Sequence, residues 1–113
     1  MTQCIEGIEY VRCLLKPADD IAAIAAPVRI WTTETIPPEA IEAIEDEQIL
    51  ELGGSFGERE WADPAEYERM QIVTADGVTD IEIFNRGLLL LKGDEAARRY
   101  HRVAMKLGVF DEA

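Results

Sequence analysis

The hydrophobic pattern changes period along the chain, and the clearest change lies between residues 70 and 107. Residues 70–84 alternate apolar and polar positions around Asp76-Gly77, a strong hairpin signal because a type I′ turn needs φ > 0 at both central residues. With Asp76 and Gly77 as the loop, Ala75 faces Val78, Thr74 faces Thr79, Ile72 faces Ile81 and Met70 faces Ile83. One face is then apolar, and the other carries Gln71, Val73, Asp80 and Glu82, as in a sheet covered on one side. Further on the spacing turns helical. Tyr100, Val103, Ala104 and Leu107 fall at i, i+3, i+4 and i+7, and Ala96 and Ala97 extend that stripe, which makes this helix the expected cover for the hairpin. Asp94 and Glu95 stand where helix-start N–H groups are unpaired, and Lys106 and Gly108 where a helix end wants a cation and a left-handed cap.

The remaining segments are shorter. Residues 8–15 mix alternation with β-branched and aromatic residues and read as a first strand. Pro17 followed by Asp19 and Asp20 predicts a helix with Ile21, Ile24 and Ala25 inward. Pro27 ends it, and residues 28–33 become a second strand with Trp31 as its large packing residue. Residues 39–47 predict a helix with Ile41 and Ile44 inward and Glu42, Glu45 and Asp46 outward. Residues 48–52 lean towards a strand, Gly53-Gly54 closes it, and 56–61 reads as a short, charged edge strand. Asp63-Pro64-Ala65-Glu66 has the arrangement of a capping box, which predicts a helix over 64–69. Leu88 to Leu91 is a continuous apolar run suited to a buried strand. The expected fold is a single α+β domain over residues 1–113, an antiparallel sheet with a central hairpin packed by the C-terminal helix.

Charge adds a second pattern. The 113 residues carry 23 acids and 11 Lys or Arg, a net charge of -12. Through Asn85 there are 19 acids against 5 bases, whereas from Arg86 onward 6 bases face 4 acids. Residues 34–68 alone hold 12 acids, with Arg59 the one base among them. Direct nucleic-acid binding is disfavoured, because phosphate contacts need a basic footprint and the sequence offers only one helix face. Anionic membranes are disfavoured for the same reason. No run reaches the roughly 18 to 20 apolar residues of a membrane span, and no signal-peptide order is present at the start, so a cytoplasmic protein is expected.

Candidate chemistry is sparse. His101 is the only histidine, and its expected neighbours are cations, which make a poor metal site. Cys4 and Cys13 lack zinc or redox spacing and read as two reduced, partly buried thiols. Glu58, Glu60 and Asp63 could cluster near Trp61, yet no loop matches a calcium pattern and a chain with 23 acids forms chance clusters. The Gly53-Gly54-Ser55-Phe56-Gly57 stretch lacks the lysine ending of a phosphate loop and reads as a turn. No catalytic residue, metal or cofactor is therefore assigned.

The acidic block remains. Glu39, Glu42, Glu45, Asp46, Glu47, Glu51, Glu58 and Glu60 form the expected partner-binding face. Gathered on one surface they would suit a basic protein partner, a nucleic-acid-processing enzyme being the natural case, since its groove is built for phosphate charge. Inhibitors of the anti-restriction or anti-CRISPR kind, and immunity proteins against nuclease toxins, rest on this physics. Arg98, Arg99, Arg102 and Lys106 form a complementary basic helix face that could pair with the acids inside the fold or across a two-fold dimer. The alternative is an assembly subunit that forms a homo-oligomer through the basic helix or the 88–91 edge, with the acid serving solubility.

Overall fold

A computed structural model describes residues 4–23 and 26–110; Ile24 and Ala25, expected to face a core, lie outside them. In chain order it comprises β1 (Ile5–Leu15), β2 (Val28–Thr32), α1 (Pro38–Asp46), β3 (Gly54–Phe56), β4 (Ala65–Thr74), β5 (Gly77–Phe84), α2 (Arg86–Leu91) and α3 (Glu95–Leu107). Single 3-10 turns lie at Ile21–Ala23, Ile49–Glu51 and Arg59–Trp61. The five strands form one sheet in the order β2-β1-β4-β5-β3. The fold is α+β, and the sheet is mixed rather than wholly antiparallel, because β3 runs parallel to β5.

Side chains of β1, β4 and β5 that point to one face supply the main core. Ile8, Tyr10, Met70, Ile72, Ile81 and Ile83 are buried there against Ala97, Tyr100, Val103, Ala104 and Leu107 of α3 and Ala40 and Ile44 of α1. Each fully buried aliphatic side chain stabilises by about 1.5–3 kcal/mol relative to exposure, so this layer decides the fold. The α3 stripe and its caps are as the sequence predicts: the Asp94 carboxylate accepts from Ala97 N at 2.8 Å, and Gly108 ends the helix at φ 78. A smaller cluster of Leu15, Ala65, Tyr67 and Phe84 packs on the opposite face at one end.

The hairpin keeps its predicted faces with a shifted register. Thr74 pairs with Gly77, so Ala75 and Asp76 form the loop and Ile72 lies opposite Thr79 rather than Ile81. The Thr74 hydroxyl accepts from Asp76 N at 3.2 Å and donates to the Gly77 carbonyl at 3.4 Å, which favours the loop one residue earlier, and Gly77 takes φ 140 at the head of β5. A partner shift of two residues preserves the alternation, so no side chain changes face.

Five expected elements differ. The helix after Pro17 is a 3-10 turn with no buried residue. Residues 48–52 form a 3-10 turn entered through Gln48 at φ 52 rather than a strand. The edge strand is Gly54–Phe56, so the glycine-rich stretch supplies a strand, and Arg59–Trp61 is a 3-10 turn. The expected helix at 64–69 is the start of β4, which pairs with β1 on one side and β5 on the other; ladder bonds on both flanks outweigh a local capping signal. Finally, residues 88–91 belong to α2: Asn85 adopts φ 56, ends β5 and accepts from the Leu88 and Leu89 N–H groups. Only Leu89 of that run is buried, and Leu91 is 84% exposed. In α1, Ala40 takes the inward position given to Ile41, which is half-buried.

No helix among the described residues is long and apolar enough to cross a membrane. Both cysteines are free thiols, and Cys4 is exposed rather than partly buried.

Candidate functional site

The acidic residues divide between two regions of the surface. On α1, proline opens the helix and Glu39 sits in the first turn, where the helix field favours a carboxylate. Glu39, Glu42, Glu45 and Asp46 are all exposed, and none of them has an ion-pair partner among the described residues. Glu39, Glu42 and Asp46 face a groove shared with Arg102, Met105 and Lys106 of α3, while Glu45 and Glu51 face the hairpin tip. Glu58 and Glu60 are not part of this surface. The chain crosses the sheet edge through β3: Thr79 donates to the Leu50 carbonyl at one end of β5, and Asn85 donates to the Glu58 carbonyl at the other. Those two tethers stand roughly 20 Å apart along an extended strand.

Crowding of carboxylates is worst at the C-terminal end of α1, where the helix field is negative and its own last turn holds Glu45 and Asp46 but no base. The basic face of α3 offsets this. Arg99 donates to the Glu47 and Gln48 carbonyls at 2.6 and 2.8 Å, and Arg102 meets the Glu47 carboxylate at 3.0 Å. Glu47 is thus held within the fold, whereas Arg98 pairs with Glu95 of its own helix at 3.5 Å. Lys106 is exposed beside the acidic groove. The basic and acidic poles meet inside one chain, and Arg59 is likewise internal, donating to the Lys16 and Asp19 carbonyls.

A second constellation has no counterpart in the sequence reading. Glu68 of β4 is 1% exposed. It accepts from the Tyr10 hydroxyl at 2.6 Å and pairs with Arg86 Nε at 2.7 Å, and Arg86 in turn approaches His101 Nδ1 at 2.9 Å. The Arg86 guanidinium lies 4.1 Å from the centre of the Phe110 ring, on which His101 also stacks. Tyr100 brings its fully buried hydroxyl into the same pocket, beside Glu68, and no well-aligned hydrogen bond engages it among the described residues. Burial, followed by the Glu68 carboxylate, pushes both Tyr10 and Tyr100 well above the ordinary phenol range. Burial and then the Arg86 cation hold His101 below its ordinary value, against the opposing pull of Glu68. Arginine only donates, so His101 Nδ1 serves as the acceptor.

The chemistry of this cluster is that of a locked internal ion pair. Its hydroxyls keep their protons, and the histidine nitrogen that faces inward is occupied. No sequence signal marks one buried acid among 23; the clue would have been two tyrosines and an arginine brought together by three different elements. On the opposite sheet face, Arg69 and Asp80 form a two-bond pair at 3.0 and 2.6 Å, and Tyr67 donates to Glu82 at 2.7 Å. Among the described residues no three His, Cys, Asp or Glu side chains converge into a metal-binding group, and Glu58, Glu60 and Asp63 form no such set. The chain matches no protein-family model, no curated protein and no solved structure.

Proposed function

We propose that this is a small acidic binding protein that docks the α1 surface onto a cationic surface of another protein and so blocks or modulates it. A groove that otherwise holds nucleic acid is the cationic surface this charge suits best. The observation that carries the reading is the set of four exposed carboxylates on α1, Glu39, Glu42, Glu45 and Asp46, with no ion pair among the described residues. Glu45 and Asp46 are costly where they stand, because they crowd the negative end of the helix. The fold answers that cost with Arg99 and Arg102 but directs both onto Glu47 and Gln48. A surface that retains unneutralised carboxylates at an unfavourable position is suited to a partner that supplies the cations.

The site acts by binding rather than catalysis in this reading. The buried Glu68 carboxylate is taken up by Tyr10 and Arg86, and the two free thiols suit a reducing, cytoplasmic compartment. Steering by such a face raises association rates by roughly 10 to 10³-fold at low salt and fades as salt screens it. Capture of partners from a lysate at low salt, with stepwise salt elution and mass spectrometry, tests this. Basic proteins released by salt are the expected result, and partners that resist salt or carry no cationic surface would count against it.

A further inference from the structure

One large apolar side chain of α3 lies outside the buried stripe of that helix. Met105 is 55% exposed, and it lines the groove between α3 and α1, with Ala43 on the other side. Ala43 is half-buried and too small to fill the space between the helices, so these two residues give the groove, of about 570 Å³, an apolar floor. Charges surround it. Glu39, Glu42 and Asp46 line the α1 side, and Arg102 and Lys106 the α3 side. Arg102 is taken up by Glu47 at 3.0 Å, which leaves Lys106 facing three carboxylates. An exposed methionine within a charged rim has the composition of an interface centre, where methionine and arginine are enriched and lysine is depleted.

We propose that this groove takes an arginine side chain of the cationic partner, its alkyl stem on Met105 and Ala43 and its guanidinium on Glu42 and Asp46. The inference rests on docking through α1 and names the group that anchors it. Glu42 and Asp46 are four residues apart in α1, so they share one face of the helix, with Cβ atoms roughly 5–6 Å from each other. A planar guanidinium with its fork of donors reaches two such carboxylates at once, whereas an ammonium is a compact, strongly hydrated point charge. Both basic side chains carry an apolar stem, but the guanidinium is the more weakly hydrated head and is the easier to bring down beside a thioether. Lys106 repels an incoming cation from the α3 side, which directs the guanidinium towards α1.

Binding of labelled oligo-arginine and oligo-lysine of equal length to the full chain, followed by fluorescence anisotropy at one low salt concentration, tests this. Wild type should hold oligo-arginine roughly tenfold more tightly, because forked guanidinium–carboxylate bonds add to the charge attraction that both peptides share. Met105 is exposed, so Met105→Ser keeps the fold, and it should cut the preference to about threefold or less by removing the surface on which the stem lies. Glu42→Gln with Asp46→Asn should weaken both peptides and bring their affinities together. Unchanged binding of both peptides by that double variant, or no binding by wild type, would sink docking through α1 and the anchor with it. Equal affinities in wild type, or a preference undiminished in Met105→Ser, would overturn the arginine anchor and leave docking through α1 in place.

Discussion

Arg99 Nε lies 2.6 Å from the Glu47 carbonyl oxygen, and its terminal nitrogen reaches the next carbonyl, on Gln48, at 2.8 Å. One helix is therefore closed by the side chain of another, and the acidic surface of α1 is presented on a fixed support. Arg99→Ala removes both donors and should cost about 1–2 kcal/mol. Amide hydrogen exchange reads the effect locally: Glu47 and Gln48, whose N–H groups close the last turn onto Ala43 and Glu45, should exchange faster. Unchanged exchange there would show that α1 needs no such cap.

Glu68 and Arg86 form a pair with side chains only 2% and 13% exposed. Removing one partner strands a buried charge, and Arg86→Met should cost about 3–5 kcal/mol in denaturant unfolding. Glu68→Leu with Arg86→Met should recover much of that loss, since replacing a buried pair together avoids the orphaned charge. Losses that simply add in the double variant would contradict this coupling.

His101 gives the pair a pH dependence. Its folded pKa is lowered, chiefly by burial and next by Arg86, so the unfolded chain takes up the proton first as pH falls. The stability it contributes is full above the unfolded value of about 6.5 and is lost as pH drops below it. His101→Gln keeps an acceptor for Arg86 without titrating there. Thermal unfolding from pH 7 to 5 should therefore fall less steeply for the variant than for the wild type, and parallel profiles would remove His101 from the account.

Gly57 sits where β3 leaves the sheet, at φ 84, and a Cβ there would lie 2.1 Å from the Phe84 carbonyl oxygen. Gly57→Ala should destabilise by roughly 2–4 kcal/mol, through both the clash and the left-handed backbone. Calorimetry giving a wild-type melting temperature would mean that this crossing tolerates more room than its geometry shows.

Features governed by near neighbours were readable from the sequence. The α3 stripe with Asp94 and Gly108, and the two faces of the hairpin, each depend on spacing within a stretch of 15 residues. The start of β4 was not readable, because Asp63-Pro64-Ala65-Glu66 carries a helix signal and only the flanking strands β1 and β5 override it. The 88–91 run is equally apolar as strand or helix, and the left-handed backbone at Asn85 decides the matter. For the acidic face, the α1 positions follow from helical periodicity. The exclusion of Glu58 and Glu60 depends on where β3 carries the chain. Glu68 looked like one more surface acid until β4 turned it onto Tyr10 and Arg86.

The most direct test of the central claim leaves the internal pairs intact. Glu42→Lys, Glu45→Lys and Asp46→Lys reverse three exposed charges and spare Glu47, which Arg102 holds at 3.0 Å. Wild type and the triple variant, matched for melting temperature, should be run side by side in low-salt capture from the same lysate. Loss of the salt-eluted basic proteins from the variant is the predicted result. The same proteins recovered in the same amounts by both would contradict docking through α1.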